Sequence, residues 1–360
     1  MLHAIIMAGG TGTRFWPASR NDTPKQMLEL VGGATMIRQT VDRLGAVVPP
    51  ERRMVVTNRR LVSAIGEQLP EMSVSALVGE PCKRDTAPCI GLAALLVSRQ
   101  DPDATLVVMP ADHVIQPAEK FQAAIREAAA LVADSPGRIV TFGIKPTYPA
   151  EIFGYIHRGQ PIPSAAGEAP AFEVKSFKEK PYAETARKYV ESGEYYWNSG
   201  IFVWQARTIL DALEKRQPEM FAHLEKITAA WDTAARDAVF EREFTAIKGI
   251  SIDYAVMEHA TNVAVIEAPY EWDDLGGWQS LSRLRGNDVH GNTIIGRHLG
   301  LETKGSIIRT DDDHLVVTLG VADMIVVHTP NATLVANKHD EEKIRQVVKD
   351  LEARGWNEYL

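Results

Sequence analysis

Three glycines followed by two cations stand near the start of the chain. The apolar run Ala4–Met7 leads into Gly9, Gly10 and Gly12, and Arg14 and Lys25 come next. Because glycine tolerates positive φ and lets a ligand approach the backbone, successive N–H groups of this segment can bind an anion. The guanidinium and ammonium groups can neutralise the charge of a phosphate chain. The segment therefore predicts a loop for nucleoside triphosphate chemistry.

Two common glycine-rich loops do not fit this segment. A Walker loop requires Gly-x4-Gly-Lys-Ser/Thr at the start of a helix, which the sequence lacks. A dinucleotide fingerprint requires Gly or Ala where Phe15 stands, so that helix and strand can pack closely. The other alternative is a tight turn whose cations are solvated surface charges. Pro17 and Pro24, together with Arg14 and Lys25, favour the phosphate loop over that turn.

Carboxylates in two distant segments could bind a divalent ion. Asp112 follows an apolar run that begins at Thr105, and Asp273 and Asp274 lie in a turn before Leu275. Magnesium prefers one or two carboxylates, with water and substrate phosphates in its remaining positions. Taken singly, a helix cap at Asp112 and a surface turn at the other two are about as plausible. Together with the glycine-rich loop, the segments favour a metal site.

The apolar pattern predicts an α/β fold. Over the first 145 residues, short apolar runs alternate with helical patterns, as in βαβ units of a mostly parallel sheet. These runs are Ala4–Met7, Met54–Thr57, Val74–Val78, Thr105–Met109 and Ile139–Gly143. Residues 146–178 predict loops and a hairpin. Ligands bind beyond the carboxyl ends of such strands, where the motifs lie.

The second half of the chain changes its pattern twice. Helical spacing returns at 182–192, 206–227 and 251–260. After residue 285, short β-rich segments predict a small domain that resembles a β-helix. Apolar residues at helical spacing from Ile344 to Leu351 then predict a closing amphipathic helix.

The composition limits the partners. The 360 residues carry a formal net charge of −8 without a basic cluster, so we do not expect a nucleic acid polymer as partner. Cys82 and Cys89 are too few for a disulfide framework or a four-ligand zinc site. The sequence shows no secretory signal and no apolar run near the roughly 20 residues that span a bilayer. We expect a cytoplasmic protein that does not bind a membrane; a homodimer stays open.

The signature Gly-Gly-x-Gly-Thr-Arg…Pro-Lys at residues 9–25 resembles that of the sugar-1-phosphate nucleotidyltransferases. The variant with Trp16-Pro17 and Pro24-Lys25-Gln26 is similar to their mannose-1-phosphate guanylyltransferase branch, and further matches extend to about residue 340. The resemblance implies a Rossmann-like sheet flanked by helices in a catalytic domain over 1–285. A small β-rich domain with a C-terminal helix would follow over 286–360.

The resemblance also implies an activity and a site. GMP would pass from GTP to α-D-mannose 1-phosphate, with Mg2+ as cofactor, giving GDP-mannose and pyrophosphate. Arg14, Lys25, Asp112 and Asp274 would be catalytic, and the family pattern selects Asp274 rather than Asp273 as metal ligand beside Asp112. Nucleotide contacts would come from Ala8, Gly9, Gly10, Thr11, Gly12, Thr13, Glu80, Thr86 and Ala87, and sugar phosphate contacts from Gly143, Tyr155, Glu179, Lys180 and Asn198.

Glu80 opens a segment that resembles the family's base-binding segment, and it also has a physical argument. Guanine presents N1–H and its N2 amino group side by side, and an ionised carboxylate can accept from both. Uracil or thymine would place carbonyl groups beside a single N–H and repel the carboxylate. The alternative is a solvated glutamate before a proline, with the backbone near Thr86–Pro88 contacting the base.

The sugar assignments follow from hydroxyl chemistry and from the family match. A carboxylate and an amide bind vicinal hydroxyls well, because each hydroxyl donates and accepts, so Glu179 and Asn198 are the candidates for the hexose. Lys180 is the candidate for its phosphate, although a Lys-Glu-Lys run is usually a solvated surface. Ile152 and Phe153 stand where the family usually has Gly and Tyr. Because a β-branched residue resists positive φ, we expect a different loop backbone there.

Three other functions remain as alternatives. The first is the same reaction with another pair, such as UTP or ATP with glucose 1-phosphate. The second is a non-catalytic sensor of GDP-mannose, which would not need all four catalytic residues. The third is a dehydrogenase, which Phe15 disfavours. We do not expect a second, isomerase activity, because the stretch after residue 340 is too short for a cupin domain.

Overall fold

The computed structural model describes residues 1–163, 169–310 and 313–360. The chain forms two compact units, neither of which is one continuous stretch. The first unit comprises Met1–Gly9, Val41–Ala111 and Ile115–Trp272, and the second unit comprises Gly10–Thr40, Asp112–Val114 and Asp273–Leu360. These units reflect contacts within the folded chain, so the division into domains near residue 285 stays a prediction.

A nine-stranded sheet forms the centre of the first unit. The first eleven strands of the chain are β1 (Leu2–Ala8), β2 (Arg53–Asn58), β3 (Leu77–Glu80), β4 (Thr105–Pro110), β5 (Val114–Gln116), β6 (Ile139–Ile144), β7 (Tyr155–Ile162), β8 (Ala171–Lys178), β9 (Tyr195–Gln205), β10 (Val263–Glu267) and β11 (Glu271–Asp273). All except β5 and β11 belong to this sheet, in the order β3-β2-β1-β4-β9-β6-β10-β8-β7. Only β8 and β9 run opposite to the other strands, so the expected mostly parallel sheet is confirmed.

Four of the five predicted strands lie within β1, β2, β4 and β6. The prediction of a strand over Val74–Val78 was wrong at its start. Residues Val74–Ala76 form a short 3-10 turn, and β3 begins only at Leu77. Val74 is exposed, so burial does not hold this end of the apolar run in the sheet. The predicted hairpin is confirmed, since β7 and β8 pair antiparallel.

The helices of the chain are α1 (Met36–Asp42), α2 (Val62–Gln68), α3 (Thr86–Ser98), α4 (Ala118–Asp134), α5 (Ala183–Ser192), α6 (Ala206–Arg216), α7 (Pro218–Ala230), α8 (Arg236–Ala246), α9 (Ile252–Ala255), α10 (Gln279–Arg285) and α11 (Ile344–Ala353). The helical pattern over 206–227 proves to be two helices, because Pro218 lacks an N–H and starts α7 instead of continuing α6. No element was predicted at α8. Among the described residues, no helix is both long and apolar enough to cross a membrane.

Helix α3 is the most deeply buried helix of the first unit and fixes the segment after β3. Its positions from Ala87 to Ala94 are buried, and it packs on α6 and α7. A Cβ on Gly91 would lie 2.6 Å from Leu224 Cδ1, so glycine permits the close approach of α7. Asp85 caps the helix, with its carboxylate accepting from Thr86 N at 2.9 Å.

The second unit combines the N-terminal loop with a small β domain. Its further strands are β12 (Thr293–Ile295), β13 (Arg297–Leu301), β14 (Ile307–Arg309), β15 (Leu315–Leu319), β16 (Met324–Thr329) and β17 (Ala332–Asn337). β12, β14 and β16 pair in parallel, β17 joins antiparallel, and β13 pairs with β15. The expected β-rich domain with its closing helix α11 is confirmed.

Aromatic residues of the loop lie in the core of the second unit. Phe15 and Trp16 pack with Trp278, Ile325 and residues of the β strands and α11. The rings of Phe15 and Trp278 meet edge to face with centroids 5.1 Å apart. Burial of Phe15 and Trp16 therefore anchors the segment that carries Arg14.

Candidate active site

In the predicted phosphate loop, the backbone at Gly12 lies close to the segment that carries Lys25. Gly12 has φ +65°, and a Cβ there would collide with Lys25 Cβ and lie 3.1 Å from Lys25 N. The carbonyl of Gly12 accepts from Phe15 N at 2.9 Å and from Ser19 Oγ at 2.7 Å. Glycine at this position therefore brings the Lys25 segment against the loop.

The other predicted loop positions divide between burial and exposure. Ala8 is buried at the end of β1, and its carbonyl accepts from Thr57 Oγ1 at 2.9 Å. Gly9, Gly10 and Thr11 are exposed, and Thr13 is half-buried. Exposed backbone at the carboxyl end of β1 is a suitable place for a phosphate chain.

Lys25 lies at the convergence of three segments of the second unit. Its side chain is 7% exposed, and Nζ donates to Asp112 Oδ2 at 2.8 Å and to the Asp274 carbonyl at 2.6 Å. The chain positions of these residues are 25, 112 and 274, so the fold unites segments that are far apart in the sequence. Lys25 thus joins both predicted metal-binding segments.

The two candidate carboxylates differ in electrostatics. Burial opposes ionisation of Asp112, but the charges of Lys25 and His113 and the bond from Lys25 hold its pKa below the usual value. Burial raises the pKa of Asp274, and the negative charges of Asp273 and Asp112 add to that shift. A ligand that brings positive charge would favour the ionised form of both.

Asp273 has a structural role in the same turn. Its Oδ1 accepts from Leu275 N and its Oδ2 accepts from Arg283 Nε, each at 2.8 Å. Leu275 has φ +47°, a conformation that costs energy for a residue with a Cβ. The Asp273 side chain stabilises this strained turn and so positions Asp274 beside Lys25.

Arg14 faces the same turn and is paired with an acid. Its Nη1 donates to Glu342 Oε1 at 2.9 Å. A Cβ added to Gly276 would lie 3.3 Å from both Arg14 Nη1 and Asp274 Oδ2, so glycine leaves room between them. Glu342 was not predicted; it lies in an exposed 3-10 segment, Lys338–Lys343, of ordinary acidic composition. No local signal marked it.

The donor set of Asp112 and Asp274 fits Mg2+. Magnesium needs only one or two protein carboxylates when substrate phosphates complete its shell. Both carboxylates interact electrostatically with Lys25 and with each other. Within the described ranges, no group of three or more His, Cys, Asp or Glu side chains is arranged to hold a metal.

Glu80 ends β3 in the first unit and is buried, with 7% of its surface exposed. Its Oε1 has no hydrogen-bond partner in the described part of the chain, and burial raises its pKa to about 8, which the Cys89 thiol partly offsets. Gly9 is close, since a Cβ there would lie 3.9 Å from Glu80 Oε2. A buried acceptor of this kind fits a ligand that donates hydrogen bonds.

Thr86 and Ala87 use their backbone groups within the first unit. Thr86 N donates to the cap Asp85, and Ala87 N donates to Ile250 O at 3.1 Å. The Thr86 hydroxyl accepts from Ile252 N at 2.8 Å. These contacts hold the start of α3 against α9.

The predicted hexose residue Asn198 has a fixed amide. Its Oδ1 accepts from Thr141 Oγ1 and from Gly200 N, each at 3.2 Å, and its Nδ2 donates to Asp253 Oδ1 at 3.1 Å. This network orients the side chain. Gly143, another predicted residue, pairs with Asn198 in the sheet, and a Cβ there would lie 2.7 Å from Tyr196 Cβ.

Glu179 and Lys180 form an ion pair near Asp253. Lys180 Nζ lies 2.9 Å from Glu179 Oε1, and Lys180 has φ +44°. A Cβ on Gly154 would lie 2.6 Å from Glu179 Oε2, so glycine makes room for this carboxylate. Burial, with the charge of Glu179 adding to it, raises the pKa of Asp253 to about 7. Asp253 was not predicted, because nothing in its sequence distinguishes it from an ordinary acid in the first turn of a helix.

Tyr155 is fully buried in an aromatic cluster of the first unit, with Phe153 and Trp197 among its members. Its ring therefore offers no surface to a ligand, and its sugar role stays a prediction. Neither Ile152 nor Phe153 has a positive φ. Phe153 packs on Trp197 and Trp272 with centroids 5.0 and 5.4 Å apart, so packing sets the backbone of this loop.

Comparison with known proteins identifies the class. Residues 3–289 match the family described as nucleotidyl transferase, and residues 296–351 match the MannoseP isomerase/GMP-like beta-helix domain. The chain is thus a nucleotidyl transferase. Mannose-1-phosphate guanylyltransferase ManC of Salmonella typhimurium is 40% identical over 99% of this chain and 75% of its own length. The mannose-1-phosphate guanylyltransferase of Escherichia coli is 38% identical over the same shares.

A solved structure agrees with these relatives. The crystal structure of a protein described as a mannose-1-phosphate geranyltransferase from Thermus thermophilus matches with a TM-score of 0.85 and 34% identity, over 98% of this chain and 99% of that chain. Because these relatives match 99% of this chain at 38–40% identity, the chain belongs to the mannose-1-phosphate guanylyltransferase family.

Proposed function

We propose that the protein transfers GMP from GTP to α-D-mannose 1-phosphate, with GDP-mannose and pyrophosphate as products. One observation carries the proposal: Lys25 holds Asp112 and the Asp274 segment together, with Arg14 in the same cluster. Two cations beside two carboxylates are what a metal-bound triphosphate requires. The names of the relatives support guanine and mannose as the specific substrates.

The reaction needs alignment rather than a protein nucleophile. An oxygen of the sugar phosphate attacks the α-phosphorus of GTP, a new P–O bond forms, and the bond to the β-phosphate oxygen breaks in line. The attacking oxygen is already anionic, so the obstacle is repulsion between two anions. Positioning and positive charge therefore supply the catalysis.

The cations have separate tasks in this mechanism. Lys25, which is buried and held by two oxygen acceptors, would stabilise the charge that grows on the α-phosphoryl group. Arg14 would bind the departing pyrophosphate through its forked N–H groups once Glu342 releases it. Asp112 and Asp274 would hold Mg2+, which supplies Lewis-acid charge neutralisation of the phosphates when it is bound.

The predicted residues outside this cluster would select and orient the substrates. Glu80 would accept from guanine N1–H and N2–H, while residues 8–13 and the start of α3 at Thr86 and Ala87 would contact the rest of the nucleotide. Glu179 and Asn198 would bind hexose hydroxyls, and Lys180 the sugar phosphate. Gly143 would lie beside them, and the buried Tyr155 would act only by packing beneath that region. The network of Asn198 with Thr141 and Asp253 supports a preformed hexose site.

A substrate panel tests the proposal. Pyrophosphate release is measured with GTP, UTP and ATP, each with mannose 1-phosphate or glucose 1-phosphate, with and without Mg2+. We expect the highest kcat/KM for GTP with mannose 1-phosphate, and dependence on the metal. Faster turnover of another pair would replace the assigned substrates. Tight binding of GDP-mannose by calorimetry without any turnover would mean that the protein is a sensor.

A further inference from the structure

The Glu80 carboxyl is isolated from charge in the first unit. Its neighbours on the packed elements are neutral: Asn58 on β2 is its partner in the sheet register, and Gly9 follows β1. The Cys89 thiol on α3 contacts the carboxyl, and no charged group acts on Glu80 among the described residues. One carboxyl oxygen has no partner within the same ranges. The fold therefore does not fix the charge of this group, and it leaves one of the two carboxyl oxygens without a hydrogen bond.

The two protonation states of such a group are complementary to different bases. The ionised carboxylate is an acceptor at both oxygens, which matches the two adjacent donors of guanine, N1–H and the N2 amino group. The protonated acid has one donor beside one acceptor. That pattern matches N1–H beside O6, an edge that hypoxanthine and guanine share, and it also matches the N–H and carbonyl of uracil. The protonated acid therefore cannot use the N2 amino group to tell guanine from hypoxanthine.

We propose, resting on the function proposed above, that protonation of Glu80 sets which nucleobase the enzyme accepts. The ionised form selects guanine, and the protonated form admits bases with one donor beside one acceptor. Base selectivity is then a property of pH as well as of shape. A glutamate paired with lysine or arginine would keep one charge state and one selectivity; the neutral surroundings of Glu80 remove that constraint.

The relevant titration falls in an accessible range. Burial without a compensating cation disfavours the charged form, which is why the pKa of Glu80 is raised to about 8. Below that value the free enzyme holds the proton, and binding of guanine through N1–H and the N2 amino group has to release it. Because the pH dependence of kcat/KM reports groups of the free enzyme, steady-state kinetics can follow this proton.

The test compares GTP with ITP, which differs from GTP only by the missing N2 amino group. Both are assayed for pyrophosphate release with mannose 1-phosphate and Mg2+, and the ratio of their kcat/KM values is followed against pH. Effects of pH on the phosphates, the metal and the chemical step are shared by both nucleotides, so they cancel in the ratio. We expect the ratio to rise up to ~20-fold between about pH 6.5 and about pH 8.5, as the ionised fraction of Glu80 rises.

Variants separate this cause from others. Glu80→Gln presents one donor beside one acceptor at every pH, so its ratio should be low and flat. Cys89→Ala removes the contact that lowers the pKa of Glu80, so the midpoint of the ratio should move to higher pH. Cys82→Ala is the matched control: Cys82 lies 3.9 Å from Thr245 Oγ1, and this change should leave the midpoint in place.

The outcomes are distinguishable. A ratio that is flat with pH in the unaltered enzyme, while GTP turns over, would overturn the inference and leave the proposed function intact. A rising ratio that persists in Glu80→Gln would assign the titration to another group and equally overturn it. If GTP with mannose 1-phosphate gives no pyrophosphate at any pH, the proposed function itself fails.

Discussion

Replacing Lys25 with alanine should affect both stability and rate, by amounts that the structure allows to be worked out. The Lys25 side chain is 7% exposed, whereas Asp112 is 32% exposed, so water reaches one partner of the 2.8 Å ion pair. Removing one partner of a fully buried pair costs about 3–5 kcal/mol. Since Asp112 can be partly solvated, we expect a loss of about 2 kcal/mol in the free energy of unfolding.

The effect on turnover should be larger. A preorganised donor lost from a charge-stabilising site costs about 3–4 kcal/mol of barrier, which corresponds to roughly 100- to 1000-fold in kcat. Urea unfolding measures the stability, and pyrophosphate release at saturating GTP and mannose 1-phosphate measures kcat. Lys343→Ala is the matched control, because Lys343 and Asp340 form a 2.7 Å ion pair with exposures of 77% and 50%. Its stability should change by less than about 0.5 kcal/mol, and its kcat should not change.

A double-mutant cycle with Asp112→Asn isolates the ion pair. If Lys25 and Asp112 act as one unit, the summed stability losses of the two single variants should exceed the loss of the double variant. We expect this difference, the coupling energy, to be about 1–3 kcal/mol. Additive losses would refute the energetic role of the pair. Near wild-type kcat in Lys25→Ala would refute the catalytic role, whatever the stability shows.

Three further predictions concern acids of the two units. Asp274→Asn should lower the Mg2+-dependent kcat at least ~100-fold, with little change in the free energy of unfolding. Asp273→Asn should retain turnover but lower the free energy of unfolding by about 1–2 kcal/mol, because both carboxylate oxygens of Asp273 accept hydrogen bonds that hold the turn. Glu342→Ala should lower the KM for GTP about 2- to 5-fold by freeing Arg14, with stability changed by less than about 0.5 kcal/mol because Glu342 is 62% exposed. The pKa of Asp253 in the folded chain is raised to about 7. Its contribution to the free energy of unfolding is therefore fully present below the pKa of the unfolded chain, and it is lost as the pH rises towards 7. In urea unfolding, the wild type should therefore lose roughly 1–3 kcal/mol relative to Asp253→Asn between about pH 4 and about pH 8.

Each of these predictions has an outcome that contradicts it. Equal kcat losses in Asp273→Asn and Asp274→Asn would remove the distinction between their roles. A raised KM for GTP in Glu342→Ala would mean that Glu342 supports Arg14 and does not compete with the nucleotide. Parallel stability profiles of the wild type and Asp253→Asn would show that the Asp253 carboxyl titrates alike in the folded and unfolded chain.

Local apolar patterns correctly predicted the strands whose position in the sequence is determined by burial alone. The apolar runs of β1, β4 and β6 are buried in the sheet, and their apolar residue types are the ones expected for buried strands. The predictions were wrong where an apolar residue is not buried or where a helical pattern contains a proline. Val74 is apolar but exposed, and the helical pattern over 206–227 ignored the missing N–H of Pro218.

The predicted site residues differ in how far the sequence could place them. Arg14, Lys25, Asp112 and Asp274 lie in one cluster because Gly12 admits Lys25 and a strained turn directs Asp274, and neither contact can be inferred from spacing. Their identities came from residue types and a family resemblance. Glu342 and Asp253 act only through partners that are distant in sequence, so composition could not mark them.

Both cations that we propose to bind phosphate are paired with carboxylates, and this pairing has a consequence for selectivity. Lys25 donates to Asp112 and Arg14 donates to Glu342, so an incoming anion has to replace an existing partner at each cation. A single phosphate group gains one contact and leaves a carboxylate without its cation, which is costly at the buried Lys25. A triphosphate that arrives with a divalent ion supplies negative charge to both cations and positive charge to Asp112 and Asp274 together. On the proposed assignment, the cluster would therefore be electrostatically complementary to a metal nucleotide and would disfavour a lone phosphate, which is the selectivity that a transferase acting among many free anions requires.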